Sequence, residues 1–211
     1  MATVDRWDPV VLPGETWDRL LQLQHDVWAA RAPSDFHRQG GDPWGDYWPG
    51  EFSETWLYVP ERSTTGLLRA FEAGSFFAGH GGIVRKAVLT IKTDGLNRAA
   101  WAGETLWVPA GTTVDVQLTA DVPETDLFGR PNRIDEVEFI IVNHDSVETF
   151  SVSPNSGLQL VAAHQVRMES ASLAIRARGR RHIPDGPDLL FYTNPIRLTA
   201  STDVRKAAQL Q

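Results

Sequence analysis

The chain has no cysteine, only two methionines among its 211 residues, and no apolar run long enough to span a bilayer. The first absence excludes disulfides, thiolate metal ligands and cysteine nucleophiles. It leaves the compartment open, since many exported proteins also lack cysteine. Basic charge is scarce at the start: residues 1–60 hold 10 acidic and 4 basic side chains, whereas residues 61–211 hold 17 and 16. Wrapping nucleic acid needs clustered Lys and Arg, so no nucleic-acid partner is expected, and no membrane partner either. Met1 to Leu20 carries Asp5, Asp8, Glu15 and Asp18 and lacks a basic start followed by an apolar core. It does not read as a secretory signal, which makes a cytoplasmic location the default.

Hydrophobic residues make up 42% and charged residues 22%, as in ordinary globular proteins. The length suffices for one or two domains. Residues 17–25 (WDRLLQLQH) have helical apolar spacing, and residues 26–31 read as a strand that ends before Pro33. Residues 39–53, rich in Gly, Pro and aromatics, predict a loop lined by Trp44, Tyr47, Trp48 and Phe52. Residues 56–59 (WLYV) predict a second strand. Ser63 is an N-cap for a helix over 64–73, with Leu67, Leu68 and Phe71 on one face and Gly74 as its stop. The order helix, strand, loop, strand, helix is an α/β pattern.

From residue 75 the pattern becomes β-prone, over 83–93, 105–108, 113–120, 134–142, 148–153, 158–168, 170–178 and 189–198. Val114, Val116 and Leu118 alternate with Asp115, Gln117 and Thr119. Short strands at regular spacing imply an antiparallel β-sandwich over residues 81–211. The boundary with the first segment, residues 1–80, is expected near Gly79-His80-Gly81-Gly82.

Ser34-Asp35-Phe36-His37 carries the most chemistry. On a strand, Asp35 and His37 share a face while Phe36 points away. A carboxylate beside an imidazole suits Zn²⁺, Mn²⁺ or Fe²⁺. The bland reading is a turn in which Asp35 caps backbone N–H groups and His37 is exposed. Arg38 could meet a substrate phosphate or carboxylate, or be solvated surface. His80, between glycines at the domain junction, could line the site or simply serve a linker. His25 reads as a helix end and His144 as a turn; His164 and His182 show no ligand spacing. Arg176, Arg178 and Arg180 share one face of a strand and could bind an anion, with a solvated face as the alternative. All eight tryptophans fall within residues 1–107, where they could stack on a ligand or fill the core.

The order WDRLL…VWAARAPSDFH, an aromatic loop, TWLYVPERSTTGLLRAFEAGSFFAGHGG, then a β-rich tail ending in FYTNPIRL resembles one end of a known family. It is similar to the C-terminal portion of PHP-superfamily (polymerase and histidinol phosphatase) metallohydrolases of the carbaryl-hydrolase-like subgroup. The resemblance covers residues 14–82 and, in the tail, Thr193-Asn194-Pro195-Ile196. It implies an α+β fold: the C-terminal edge of a PHP-type β/α barrel over 1–80, then the sandwich. It also implies that Asp35 and His37 are metal ligands. The family's His-x-His near its beginning has no counterpart, since no two of the six histidines are separated by two residues. The expected function is therefore that of the tail of a divalent-metal-dependent hydrolase, of the phosphoesterase or ester/amide type, with an incomplete metal site. His80 and Arg38 would face a small-molecule substrate. The rest of the site would come from an upstream barrel segment or from another copy in a homo-oligomer. The competing expectation is a non-catalytic β-sandwich that recognises a ligand or partner.

Overall fold

Alternation of apolar and polar residues builds most of this molecule. The computed structural model describes residues 11–32, 48, 50–94, 99–155, 157–184, 186 and 188–201. In β6 (Thr113–Asp121), Val114, Val116, Leu118 and Ala120 are buried and alternate with accessible side chains. It pairs antiparallel with β3 (Lys86–Lys92) and β9 (Gln159–Arg167), and with the short β4 (Ala100–Trp101) they form a sheet ordered β4-β3-β6-β9.

The larger sheet has eight strands centred on β10 (Ser172–Arg181). On one side of β10 lie β7 (Glu136–Val142) and then β8 (Val147–Val152). On the other side the sheet forks. β11 (Leu189–Thr193) pairs with residues 178–181 and leads to β2 (Phe76–His80) and β1 (Ser53–Leu57). β12 (Ile196–Ser201) pairs with residues 172–175 and runs parallel to β5 (Thr105–Pro109). The fork falls at Asn194-Pro195, where proline has no N–H for a ladder. There the Thr193 hydroxyl accepts the Ala177 N–H at 3.0 Å and donates to the Ala177 carbonyl at 3.4 Å, doing what a strand backbone would do.

One apolar core joins the inner faces of the two sheets, through Leu89, Val116, Leu118, Phe139, Ile175 and Phe191. A second lies on the outer face of the large sheet. There α1 (Thr16–Gln22) sets Trp17 and Leu21 against Phe76, Ile140, Ala174 and Tyr192. Asp18 and Arg176, both fully buried, fasten α1 to β10. Arg176 Nε donates to Asp18 Oδ1 at 2.8 Å and Nη2 donates to Oδ2 at 2.9 Å, while the guanidinium stacks 4.6 Å from the Trp17 ring.

Several expectations are corrected. No barrel edge exists among the described residues. A β/α barrel needs parallel strands joined by crossover helices, whereas β1 and β2 are antiparallel, in register from Ser53↔His80 to Leu57↔Phe76, and belong to the large sheet of the sandwich. Among the described residues the fold is mostly antiparallel β with two short helices, not α+β. The helix between them, α2 (Thr64–Glu72), has the expected Ser63 cap, whose hydroxyl accepts the Gly66 N–H at 3.0 Å. It buries only Gly66 and Ala70, and Leu67, Leu68 and Phe71 stay 46%, 57% and 41% exposed. Residues 26–31 form no strand. Side chains secure that stretch: Trp17 Nε1 donates to the Val27 carbonyl, Asn194 Oδ1 accepts the Ala30 N–H, and Thr55 Oγ1 accepts the Ala32 N–H. The segment expected as one strand over 189–198 is the forked pair β11 and β12.

Candidate functional site on the outer face of the large sheet

Strand register brings the polar side chains of five strands onto one face. Ser53 on β1 pairs with His80 on β2, and Ala78 on β2 pairs with Tyr192 on β11. Tyr192 pairs with Arg178 on β10, which pairs with Glu138 on β7. One row along, Leu190 pairs with Arg180, which pairs with Glu136. Because side chains two apart share a face, His80, Tyr192, Arg178, Arg180, Glu138 and Glu136 form one strip.

His80 ends β2 where the chain leaves the sheet through Gly81 and Gly82, at φ of 66° and 64°. A side chain at position 81 would also meet Leu189 at 2.7 Å, so this turn requires glycine. The Gly81 N–H donates to the Phe52 carbonyl at 2.7 Å. His80 Nδ1 lies 3.0 Å from Ser53 Oγ, and its ring meets Tyr192 edge-on at 5.9 Å and Phe52 at 5.7 Å. The imidazole is therefore oriented by partners on three sides. Of the two residues expected to face substrate, His80 stands on this strip; Arg38 lies outside the described residues, as do the expected metal ligands Asp35 and His37.

The arginines on the strip are not an open anion site. Arg178 is hydrogen-bonded to Glu138 and Arg180 to Glu136, each directly across the β10–β7 ladder. Burial would push the Glu136 carboxyl up, but hydrogen bonds from Ser151 and Arg180 and the nearby guanidinium charges outweigh it and hold it below the usual range. Burial lowers Arg180 and Glu136 more than compensates, so Arg180 is pushed up. Arg176, read from sequence as an anion contact or solvated surface, is instead buried on Asp18.

At the Arg180 end the strip opens into a depression of about 410 Å³ lined by Glu136, Ser151, Ser153, Arg180, His182 and Asp188. His182 Nδ1 lies 2.8 Å from Asp188 Oδ1, and the His182 N–H donates to Asp135 Oδ2 at 2.8 Å. The sequence marked His182 without a partner, because the loop that returns Asp188 to it follows no motif. Ser53 and Tyr192 were equally silent, their proximity to His80 being set by register across β1, β2 and β11. His144 sits in the β7–β8 turn beside Asp145, as expected, and His164 stacks on Phe150 at 4.3 Å. Among the described residues no group of three or more His, Asp or Glu side chains could hold a metal ion.

No protein-family model matches this sequence, and no curated protein matches it.

Proposed function

We propose that this chain is the β-sandwich part of a divalent-metal-dependent hydrolase, of the phosphoesterase or ester/amide type, and that the outer face of its large sheet lines the substrate side. One observation carries the reading. His80 stands with Ser53, Tyr192 and the Arg178–Glu138 pair on the same sheet face that holds residues 30–32 through Asn194 and Thr55. In the sequence, Ser34-Asp35-Phe36-His37 follows after Pro33. In this reading Asp35 and His37 hold Zn²⁺, Mn²⁺ or Fe²⁺, and His80 and Arg38 orient the substrate. The ion, when bound, would supply an activated water. The described residues do not complete a metal site, so in this reading further ligands come from another segment or partner chain.

The test is metal content. After loading with Zn²⁺ or Mn²⁺, the wild-type chain should retain sub-stoichiometric metal, and Asp35→Ala with His37→Ala should bring it to background. His80→Ala should leave metal retention within about twofold. Unchanged metal in the double variant would sink the ligand assignment. The second reading, a non-catalytic binding module, is favoured by the charged depression at Glu136, Arg180 and Asp188, and it expects no specific metal retention at all.

A further inference from the structure

An edge strand is hazardous when it is long, neutral and open, because its unpaired N–H and C=O groups accept another strand. β9 fits that description. It is the outermost strand of the small sheet, nine residues long, with Arg167 at its end as its one charged side chain. Val161 is 44% exposed and Ala163 is exposed on its outer side. A depression of about 580 Å³ lies on the sheet face over Thr90, Asp115, Gln117, Ala163 and Gln165, and one of about 290 Å³ lies between residues 164–167 and the large sheet.

The hydrogen bonds say which groups are open. In an antiparallel ladder each residue directs both backbone groups to one neighbour or both away. Asn155 Oδ1 accepts the Val161 N–H at 2.6 Å, and Asn155 Nδ2 donates to the Gln159 carbonyl at 2.9 Å, so the odd-numbered residues of β9 point away from β6. At the other end the Glu169 N–H donates to the Arg167 carbonyl at 3.0 Å. What remains open among the described residues is the Val161 carbonyl, both backbone groups of Ala163 and of Gln165, and the Arg167 N–H.

That set is self-complementary. We propose that β9 pairs antiparallel with β9 of a second copy of this chain, about a two-fold axis at His164. The Ala163 N–H then donates to the Gln165 carbonyl of the second copy, and Gln165 N–H to the carbonyl of Ala163. Arg167 N–H donates to the carbonyl of Val161, and each bond is repeated by the symmetry. The two groups already engaged, Val161 N–H and the Arg167 carbonyl, are those this register leaves over. Registers centred one residue to either side set Val161 N–H or the Arg167 carbonyl, already occupied, opposite a group that needs it. The axis also keeps the two Arg167 side chains about 20 Å apart along the strands, so like charges do not meet. The product is a continuous sheet through two sandwiches.

The absence of cysteine makes the register testable. Residues facing each other across the axis at a non-hydrogen-bonded position have Cα atoms about 4.5 Å apart, within disulfide range. His164→Cys should form a disulfide-linked dimer on mild oxidation, whereas Val161→Cys, about 20 Å from its own copy, should not. In sedimentation the wild type should show a concentration-dependent monomer–dimer equilibrium. Gln165→Pro, which removes one outward N–H, and Ala163→Lys should each raise the dissociation constant at least tenfold. Their melting temperatures, measured on the monomer, show whether the fold survives. A wild type that stays monomeric at millimolar concentration, or a Val161→Cys chain that cross-links as readily as His164→Cys, overturns the proposal.

Discussion

A buried ion pair offsets its desolvation only when most of its lone pairs and protons are matched. At Asp18 both carboxylate oxygens are engaged, Oδ2 also accepting the Gly14 N–H at 2.8 Å. Arg176 Nη2 adds a bond to the Val11 carbonyl at 3.1 Å, while Nη1 has no partner among the described residues. The pair thus holds residues 11–18 to β10 at the cost of one unmatched donor. Asp18→Ala should destabilise the protein by about 3–5 kcal/mol, because it leaves a guanidinium buried without its counter-ion. Denaturant unfolding followed by tryptophan fluorescence checks this, and Asp18→Leu combined with Arg176→Met should recover most of the loss. A cost below about 1 kcal/mol would mean that the segment is held by Trp17 and Leu21 alone. The sequence hid this role: Arg176, Arg178 and Arg180 share a face, yet one is sealed under α1 and the others meet Glu138 and Glu136. Strand alternation reveals the face and not what covers it.

At the scale of elements, α2 and the strands β3 and β5 to β10 were legible because local periodicity decided them. Ser63 and Gly74 bracket the helix, and the period-two pattern of β6 matches its burial residue by residue. Ser63→Ala should cost about 1 kcal/mol by removing the acceptor for the Gly66 N–H. Leu68→Lys, at a side chain 57% exposed, should change stability by no more than about 0.5 kcal/mol. Thermal melts of the two variants measured together test whether the cap or the apolar face anchors α2. A larger loss for Leu68→Lys would show that this face is covered in solution. The stretch 26–31 was illegible for the opposite reason. Its contacts come from Trp17, Thr55 and Asn194, the last separated from Ala30 by 164 residues, so no local pattern distinguishes it from a strand. The Asn194-Pro195 break could have been read, since proline cannot donate to a ladder. Asn194 itself explains why the position is asparagine: fully buried, it accepts from Ala30 and donates to the carbonyls of Gly74 and Phe76, joining three segments at the fork.

Across the whole molecule the order helix, strand, loop, strand, helix over residues 15–74 was misread as α/β, because order along the chain does not state direction. The return through α2 makes β1 and β2 antiparallel neighbours, and the same register gathers the candidate site around His80. Charge follows the same logic, with acids and bases far apart in sequence meeting across sheets and loops. Asp126 illustrates it. Burial alone would raise its pKa, but the Arg130 backbone N–H and side chain, with the Arg181 guanidinium 2.7 Å away, hold the carboxyl below its ordinary 3.8. Glu136 is held below 4.5 by Ser151 and Arg180. For both groups the unfolded chain binds protons more readily than the folded one. Their contribution is therefore complete above their ordinary pKa values and is lost as pH falls through the folded ones. Stability should be insensitive to these two carboxyls from neutral pH down to about 5 and fall steeply below about 4. Asp126→Asn should melt lower than wild type at pH 7, with the gap narrowing as pH approaches 3, because the wild type loses there what the variant never had. Calorimetric melting temperatures for both proteins from pH 7 to pH 3 decide it. A gap that stays constant over that range would mean that Asp126 stabilises the Arg130 turn by shape and hydrogen-bond geometry rather than by charge.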